Sequence, residues 1–289
     1  MSEPDIHGKT VLITGATSGI GLEASVELAR RGARVVMVGR DPGRTEAAVA
    51  GIIARSGSRD VSHLLCDFSS QASIRALAAD ILRDFDRLDV LVNNAGGVNK
   101  TRRLSVDGIE MTFAVNHLGY FLLTDLLRDL LVRSAPARVV TVASVGHRGG
   151  TLDFADLGFE RGGYSIMRAY TRSKLANVLF AAELARRLAG TGVTSNSLHP
   201  GSVDTNIWSG APTWAKPVIQ ILLRPFFISA EKGGATIVQL AASPELEGIT
   251  GKYFEKGKAV APAPLARDEA LAKRLWDVSA AMVGLADIS

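Results

Sequence analysis

Seven short apolar runs, at 10–14, 34–38, 63–68, 88–92, 138–142, 193–198 and 251–254, alternate with stretches of helical period, and the alternation never resets along 289 residues. A short continuous apolar run bounded by turn residues marks a strand buried on both faces. Such strands need a helix layer above and below them. The expected fold is therefore α/β: a doubly wound parallel sheet of about seven strands with helices on both faces. With 47% hydrophobic residues the chain can fill one such core, so residues 1–289 are expected to form a single domain.

The first run, 10–14, leads into Gly15, Gly19 and Gly21, and residues 22–31 continue at helical period. Strand, glycine turn and helix is the arrangement in which backbone N–H groups and a helix N-terminus hold a pyrophosphate. The spacing, G-x-x-x-G-x-G, differs from the general G-x-G-x-x-G fingerprint. It assigns Gly15, Thr17, Ser18, Gly19, Ile20 and Gly21 to a nucleotide cradle and makes the domain Rossmann-type.

The second run ends at Gly39 and Arg40, where the adenosine ribose would lie. An acid there accepts hydrogen bonds from a free 2′-hydroxyl, whereas an arginine suits a 2′-phosphate. Gly39 offers no acid, so NADP(H) is expected over NAD(H), with NAD(H) left open. Asp41 and Pro42 are expected as the N-cap and first-turn proline of the next helix, 45–55.

Ligands of a parallel sheet collect at the carboxyl ends of its strands. Asp67 and Phe68 end the third run, with Asp67 placed to reach the adenine and Cys66 read as core. The fourth run ends in Asn93, Asn94, Ala95, Gly96 and Gly97, small residues that allow close approach of a ligand, although an ordinary polar turn has the same composition. Asn116 interrupts an expected long helix, 108–131, and competes there for backbone groups, so a structural or catalytic polar role is expected. His117 beside it reads as packed or solvated. Ser144 follows the fifth run and shares a rim with Gly15, Asp67 and Asn94. The sixth run leads to Pro200, Gly201, Val203 and Thr205, a turn that would cover a nicotinamide, with Thr205 on the phosphates.

Twenty-five residues rich in Gly and Asp separate Ser144 from Tyr170 and read as an irregular excursion. Leu175, Val178, Leu179, Ala182 and Leu184 then recur at helical spacing, which sets Tyr170 and Lys174 on one face, a turn apart. An ammonium beside a phenol favours its ionised form, so the Tyr170 pKa is expected to fall from ~10 towards working pH. That would make it a usable proton donor and acceptor. The same spacing more often marks a partly exposed ring and a solvated amine. Tyr164 is a weaker candidate because Arg168, not a lysine, stands four residues on. Residues 206–229, with Trp208, Trp214, Phe226 and Phe227, form an apolar insertion, expected as a lid over an apolar substrate, a packed dimer or core helix, or a membrane-surface contact.

Composition removes other classes. The net charge is +4 and the pI 9.3, yet no five like charges run together, so nucleic-acid binding is not expected. The single cysteine excludes an intramolecular disulfide and a cysteine metal cluster, and favours a reducing, cytoplasmic location. No metal site is expected. Residues 1–9 hold no apolar signal core, and no apolar run reaches the ~18 residues of a spanning helix.

Taken in order, Gly15, Gly19 and Gly21, the Asn93–Gly96 turn, Asn116, Ser144, Tyr170 with Lys174, and Pro200 with Gly201 resemble the short-chain dehydrogenases/reductases over about 8–255. The segments 115–124, 173–177 and 251–254 resemble the retinol-dehydrogenase-like branch, while 97–100 carry no branch signal. The resemblance implies an NADP(H)-dependent oxidoreductase. It would move a hydride between the nicotinamide and the carbonyl or alcohol of a small apolar substrate that is retinoid-, steroid- or lipid-aldehyde-like. Reduction is the expected direction, because intracellular NADPH is held reduced. The resemblance makes Tyr170 the general acid in reduction and base in oxidation, and puts Lys174 on the nicotinamide ribose. It sets Ser144 on the developing oxyanion and Asn116 on a water chain from Lys174 to solvent. A homodimer or homotetramer is implied as well. A non-catalytic NADP(H)-sensing protein would need none of Ser144, Tyr170 and Lys174, and a nucleotide-binding methyltransferase would leave the Tyr–Lys pair unexplained.

Overall fold

The apolar runs become parallel strands: β1 (Thr10–Thr14), β2 (Arg34–Gly39), β3 (Val61–Leu65), β4 (Val90–Asn93), β5 (Ala137–Val142), β6 (Val193–His199) and β7 (Tyr253–Glu255). A computed structural model describes residues 6–201 and 229–285. The expected insertion at 206–229, Ser229 apart, lies outside the described residues, as do Val203 and Thr205. An eighth strand, β8 (Lys258–Val260), pairs antiparallel with β7 and was not expected. All three of its residues are exposed, so no apolar pattern announces it.

The sheet runs β3-β2-β1-β4-β5-β6-β7-β8. Strand order therefore reverses between β1 and β4, which pair in parallel with Leu12 opposite Leu91. Loops leaving those two carboxyl ends diverge to opposite faces and open a crevice. Alternate side chains enter two separate cores: Val11, Ile13, Val35, Met37, Val90, Val92, Val140 and Val142 in one, Leu12, Val36, Val38, Leu91 and Val139 in the other. The first core is covered by α1 (Gly19–Arg30), α2 (Pro42–Ser56) and α8 (Ala230–Ala242), through residues such as Leu28, Ile52 and Ile237. The second is covered by α3 (Gln71–Asp84), α5 (Gly119–Leu126), α7 (Ile166–Arg187) and α9 (Glu269–Met282), through residues such as Leu77, Phe121, Leu179 and Trp276. No described helix is long and apolar enough to cross a membrane.

Several expected boundaries move, three of them near the carboxyl ends of the strands or the turns that follow. The long helix at 108–131 is broken into α4 (Met111–Phe113), a π-type turn at Ala114–Leu118, α5, and α6 (Arg128–Arg133). Buried Glu110 caps the start, its two carboxylate oxygens accepting from Thr112 N at 2.9 Å and Phe113 N at 2.8 Å. Strand β3 closes at Leu65, which leaves Asp67 and Phe68 on the following turn. Helix α2 begins at Pro42 rather than 45, with Asp41 as its N-cap.

His117, in the π-type turn, settles as a packed residue. Its ring is fully buried among Phe113, Phe121 and Phe180, with Nε2 2.9 Å from Ser279 Oγ. Burial pushes the imidazole down to about 3, so the folded chain takes up its proton far later than the unfolded chain does. Between pH 6.5 and 3 the unfolded state binds more protons at this site, and stability falls as pH falls. We expect the urea-unfolding free energy of His117→Gln to lose less on acidification than wild type, by about 1.4 kcal/mol per pH unit, the slope of one proton. Parallel pH profiles for the two proteins would show that the ring titrates alike folded and unfolded.

Candidate active site

The carboxyl ends of β1, β4, β5 and β6 open onto one cleft of about 1040 Å³. Its floor is built where the β1 and β4 turns meet. Gly15 has φ +66°, and a Cβ on it would lie 2.6 Å from Ala95 Cα, so only glycine fits this approach. Thr14 Oγ1 accepts from the backbone N–H groups of Asn94 (2.9 Å) and Ala95 (3.0 Å) and donates to Val92 O (3.3 Å). Asn94 Nδ2 donates in return to Thr14 O at 2.8 Å and Gly15 O at 3.1 Å. The Asn94 side chain thus braces the two turns, while Asn94, Ala95 and Gly96 still line the cleft. Thr17, Ser18, Gly19 and Ile20 line it at the start of α1, where Ser18 makes no side-chain capping bond. The first-turn N–H groups there are suited to an anion. Gly21 is placed differently: it does not line the cleft, and its missing side chain makes room for the Asn94 amide.

At the end of β2 a Cβ on Gly39 would collide with Thr45 Oγ1 and lie 2.8 Å from Thr17 Cγ2. No acid fits at that position. Arg40 and Arg44 are exposed, line this end of the cleft, and have no acidic partner among the described residues. The Asp41 carboxylate is held at Arg44 N, 2.9 Å away. Arg44 was missed in the sequence, although it lies in the turn that Asp41 and Pro42 begin. Asp67 and Phe68 line the neighbouring wall; Asp67 Oδ1 is held by Ser69 N (2.9 Å) and Ser69 Oγ (2.8 Å), and Phe68 is mostly packed in the core. Burial raises the Cys66 thiol to about 11, which leaves it protonated and inert, as expected of core.

Ser144, Tyr170 and Lys174 meet at the centre. Ser144 follows β5, and its Oγ accepts from Gly146 N at 3.1 Å. Ser165 caps α7 through Arg168 N at 3.2 Å, and the helix then carries Tyr170 and Lys174 past the β5 end. Lys174 Nζ donates to Val142 O at 3.0 Å and lies 5.7 Å from the Tyr170 ring centre. Burial lowers this amine to about 8. The expected fall of the Tyr170 pKa is not what the structure shows. Burial raises the phenol above its ordinary value, opposed by a hydrogen bond with Ser144, and Lys174 makes no resolved contribution. The reason is geometric: the ammonium is drawn onto a strand carbonyl instead of the phenol oxygen.

Asn116 is fully buried with its amide engaged on both sides. Oδ1 accepts from Gly97 N (2.9 Å), and Nδ2 donates to Gly97 O (3.0 Å) and Ser173 Oγ (3.1 Å). Ser173 Oγ donates to Tyr170 O at 2.8 Å, so Asn116 ties the β4 turn to the α7 turn bearing the phenol. His199, Pro200 and Gly201 close the far side of the cleft, and His199 Nδ1 is buried without a partner among the described residues. Tyr164 stands off the cleft, donating to Asn99 O at 2.7 Å with its ring edge-on to Phe159.

Sequence reading missed the apolar side chains of the cleft, Val98, Met111, Val115, Val145, Ile166 and Met167, which line it together with Asn99, Arg103 and Thr112. Val145 and Met167 are 40% and 47% exposed, as apolar side chains facing an open mouth. It also missed Arg172, a buried guanidinium on α7. Its Nη1 donates to Asp156 O and Leu157 O, both at 2.7 Å, and its cation lies 3.8 Å from the Phe159 ring centre, which pins the excursion before α7.

A family model described as short chain dehydrogenase matches residues 9–216. Retinol dehydrogenase 14 of Homo sapiens is 46% identical over 296 residues, covering 97% of this chain and 88% of that protein. Retinol dehydrogenase 13 of Homo sapiens is 43% identical over 288 residues, covering 98% and 87%. Among solved structures, an uncharacterised protein from Mycobacterium Paratuberculosis superposes with TM-score 0.79 at 32% identity, covering 98% of this chain and 96% of that one. The RhlG/NADP active-site complex of Pseudomonas aeruginosa superposes with TM-score 0.70 at 26% identity, covering 94% and 100%.

Removing the Asn116 amide would leave half-buried Gly97 N–H and Gly97 O and buried Ser173 Oγ short of a partner. Asn116→Ala should lower unfolding stability by roughly 2–4 kcal/mol. A urea midpoint unchanged from wild type would show that water replaces those bonds at no cost.

Proposed function

The chain belongs to the short-chain dehydrogenase family, and on that premise we propose that it is an NADP(H)-dependent alcohol dehydrogenase or carbonyl reductase acting on a small apolar substrate. One observation carries this reading: Ser144, Tyr170 and Lys174 converge midway along a cleft that is glycine-cradled and basic at one end and apolar at the other.

The residues present fit a dinucleotide carrying a 2′-phosphate. The Gly15 turn leaves no Cβ between backbone and ligand, and the α1 N-terminus is suited to the pyrophosphate. Gly39 has no room for the acid that a free 2′-hydroxyl would call for, and Arg40 and Arg44 stand beside it without acidic partners among the described residues. Asp67 lies within reach of an adenine, while Asn94, Ala95, Gly96, Pro200 and Gly201 would flank the nicotinamide half. The amine of Lys174 would hold the ribose hydroxyls. When bound, the nicotinamide supplies or accepts the hydride.

This chain's residues supply the proton and the fit. Burial keeps the Tyr170 phenol protonated, the state a donor to a carbonyl oxygen needs, and this supports reduction. The Ser144 hydroxyl, its oxygen oriented by Gly146 N–H and its proton shared with the Tyr170 phenol, would donate towards the same substrate oxygen as charge develops. Asn116 acts as a brace between the β4 turn and Tyr170, since its amide hydrogens are committed to Gly97 O and Ser173 Oγ. Val98, Met111, Val115, Val145, Ile166 and Met167 offer a hydrocarbon body apolar contact, with Arg103 as the one cation beside them among the described residues. A retinoid- or lipid-aldehyde-like substrate meets that description, in keeping with relatives described as retinol dehydrogenases.

NADPH oxidation across aldehydes and ketones graded by chain length tests the reading, and turnover should improve with apolar length. Tyr170→Phe should lower kcat by about 10²- to 10⁴-fold. Its NADPH affinity, read by fluorescence titration, should stay within about threefold. A near-normal rate in that variant would remove the proton-transfer role. Arg40→Asp should shift the ratio of kcat/KM for NADPH over NADH by at least about tenfold towards NADH. An unchanged ratio would remove the case for the 2′-phosphate.

A further inference from the structure

His147 takes no part in the steps above, yet its ring is wholly buried and both its nitrogens are engaged. Nε2 lies 3.0 Å from the backbone N–H of Ala263, a group that can only donate. Nε2 must therefore be the bare, accepting nitrogen. Nδ1 then carries the ring proton and donates it to Ser144 O at 2.7 Å. The same carbonyl accepts the His147 backbone N–H at 3.1 Å. Ser144 Oγ meanwhile accepts from Gly146 N, so the bonds that set this turn arise within residues 144–147 and are anchored outside it at Ala263. Tyr253 meets the His147 ring edge-on at 4.6 Å and fixes its plane.

We propose that His147 is a positioning residue: its Nδ1–H tautomer, selected by Ala263, locks the Ser144 turn so that the hydroxyl faces Tyr170. The chain beyond β8 is thereby coupled to the reacting edge of the cleft. Nothing on the catalytic face marks this residue, because it acts from behind the serine. The inference rests on the oxidoreductase reading for its kinetic consequence, but the tautomer it requires does not.

Two measurements decide it. In protein with nitrogen-labelled histidine, long-range proton–nitrogen correlation should show His147 as the Nδ1–H tautomer. The Nε2–H tautomer would overturn the proposal whatever the kinetics. His147→Leu removes both side-chain bonds, whereas His147→Asn sets an amide donor where Nδ1–H stood. The Leu variant should lose on the order of 10²-fold in kcat, the cost of a ~1 Å misplacement. Its substrate KM and NADPH affinity should stay within about threefold, and the Asn variant should recover to within about fivefold of wild type. Equal loss in both variants, or wild-type kcat in the Leu variant, would overturn the proposal. If His147→Leu does not fold, the tautomer and the kcat of His147→Asn decide it. A wild-type protein that reduces no carbonyl compound would refute the functional reading, and the tautomer would still decide this one.

Discussion

The Thr14 hydroxyl is the fastening on which the cleft depends. Strand order reverses between β1 and β4, so the turns leaving those strands would separate unless something held them. One hydroxyl at the end of β1 accepts two N–H groups from the β4 turn, and the Asn94 amide returns two bonds to the β1 turn. Buried or half-buried between the two turns, these bonds are costly to leave unmade. They set how closely Gly15 approaches Ala95, and hence the floor on which any ligand of the cleft must rest.

A second constraint is the burial of charge-bearing groups on α7. Lys174 lies inside the fold with a strand carbonyl as partner, and burial brings its amine down to about 8. Tyr170, half-buried at the cleft wall, is likewise held in its neutral form by burial. An amine so placed still carries its proton at neutral pH, though held less firmly than that of a free lysine, and a bound anion would raise its pKa again. The phenol and the amine are therefore not a self-contained acid–base pair. Their mutual tuning requires the ligand that the proposed function supplies, which is why a rule based on four-residue spacing overstated their coupling in the protein alone.

Strand positions and the rim were legible because buried parallel strands are apolar throughout, and the turns that follow them carry the glycines, amides and hydroxyls. Gly15, Asp67, Asn94 and Ser144 could be placed on one edge by that logic alone, whereas Tyr170, on a helix, could not. What stayed hidden has a common cause. Strand β8 is exposed on all three residues, so hydropathy says nothing of it. The break at Ala114–Leu118 arises because Asn116 reaches Gly97 and Ser173, partners distant in sequence. Gly21 reads as part of the phosphate cradle, yet it serves the Asn94 amide, since a glycine needed for packing and one needed for a ligand look alike in sequence. His147 and Arg172 act through carbonyls, which carry no residue identity to read.

The cleft is also polarised along its length, and that polarity bears on how an enzyme of this kind is used. Arg40 and Arg44 mark one end, and Val98, Met111, Val115, Val145, Ile166 and Met167 line the other. A polyanion gains most beside those two guanidinium groups and a hydrocarbon beside the apolar side chains, although Arg103 also lines that part of the cleft. On the proposed reading, the two ligands would meet at Ser144 and Tyr170, where a hydride donor and a carbonyl must be brought together. Specificity for the reacting pair then needs little discrimination at the centre. It follows from the chemistry of the two ends, and the few polar groups between them are left free to orient an oxygen and move a proton.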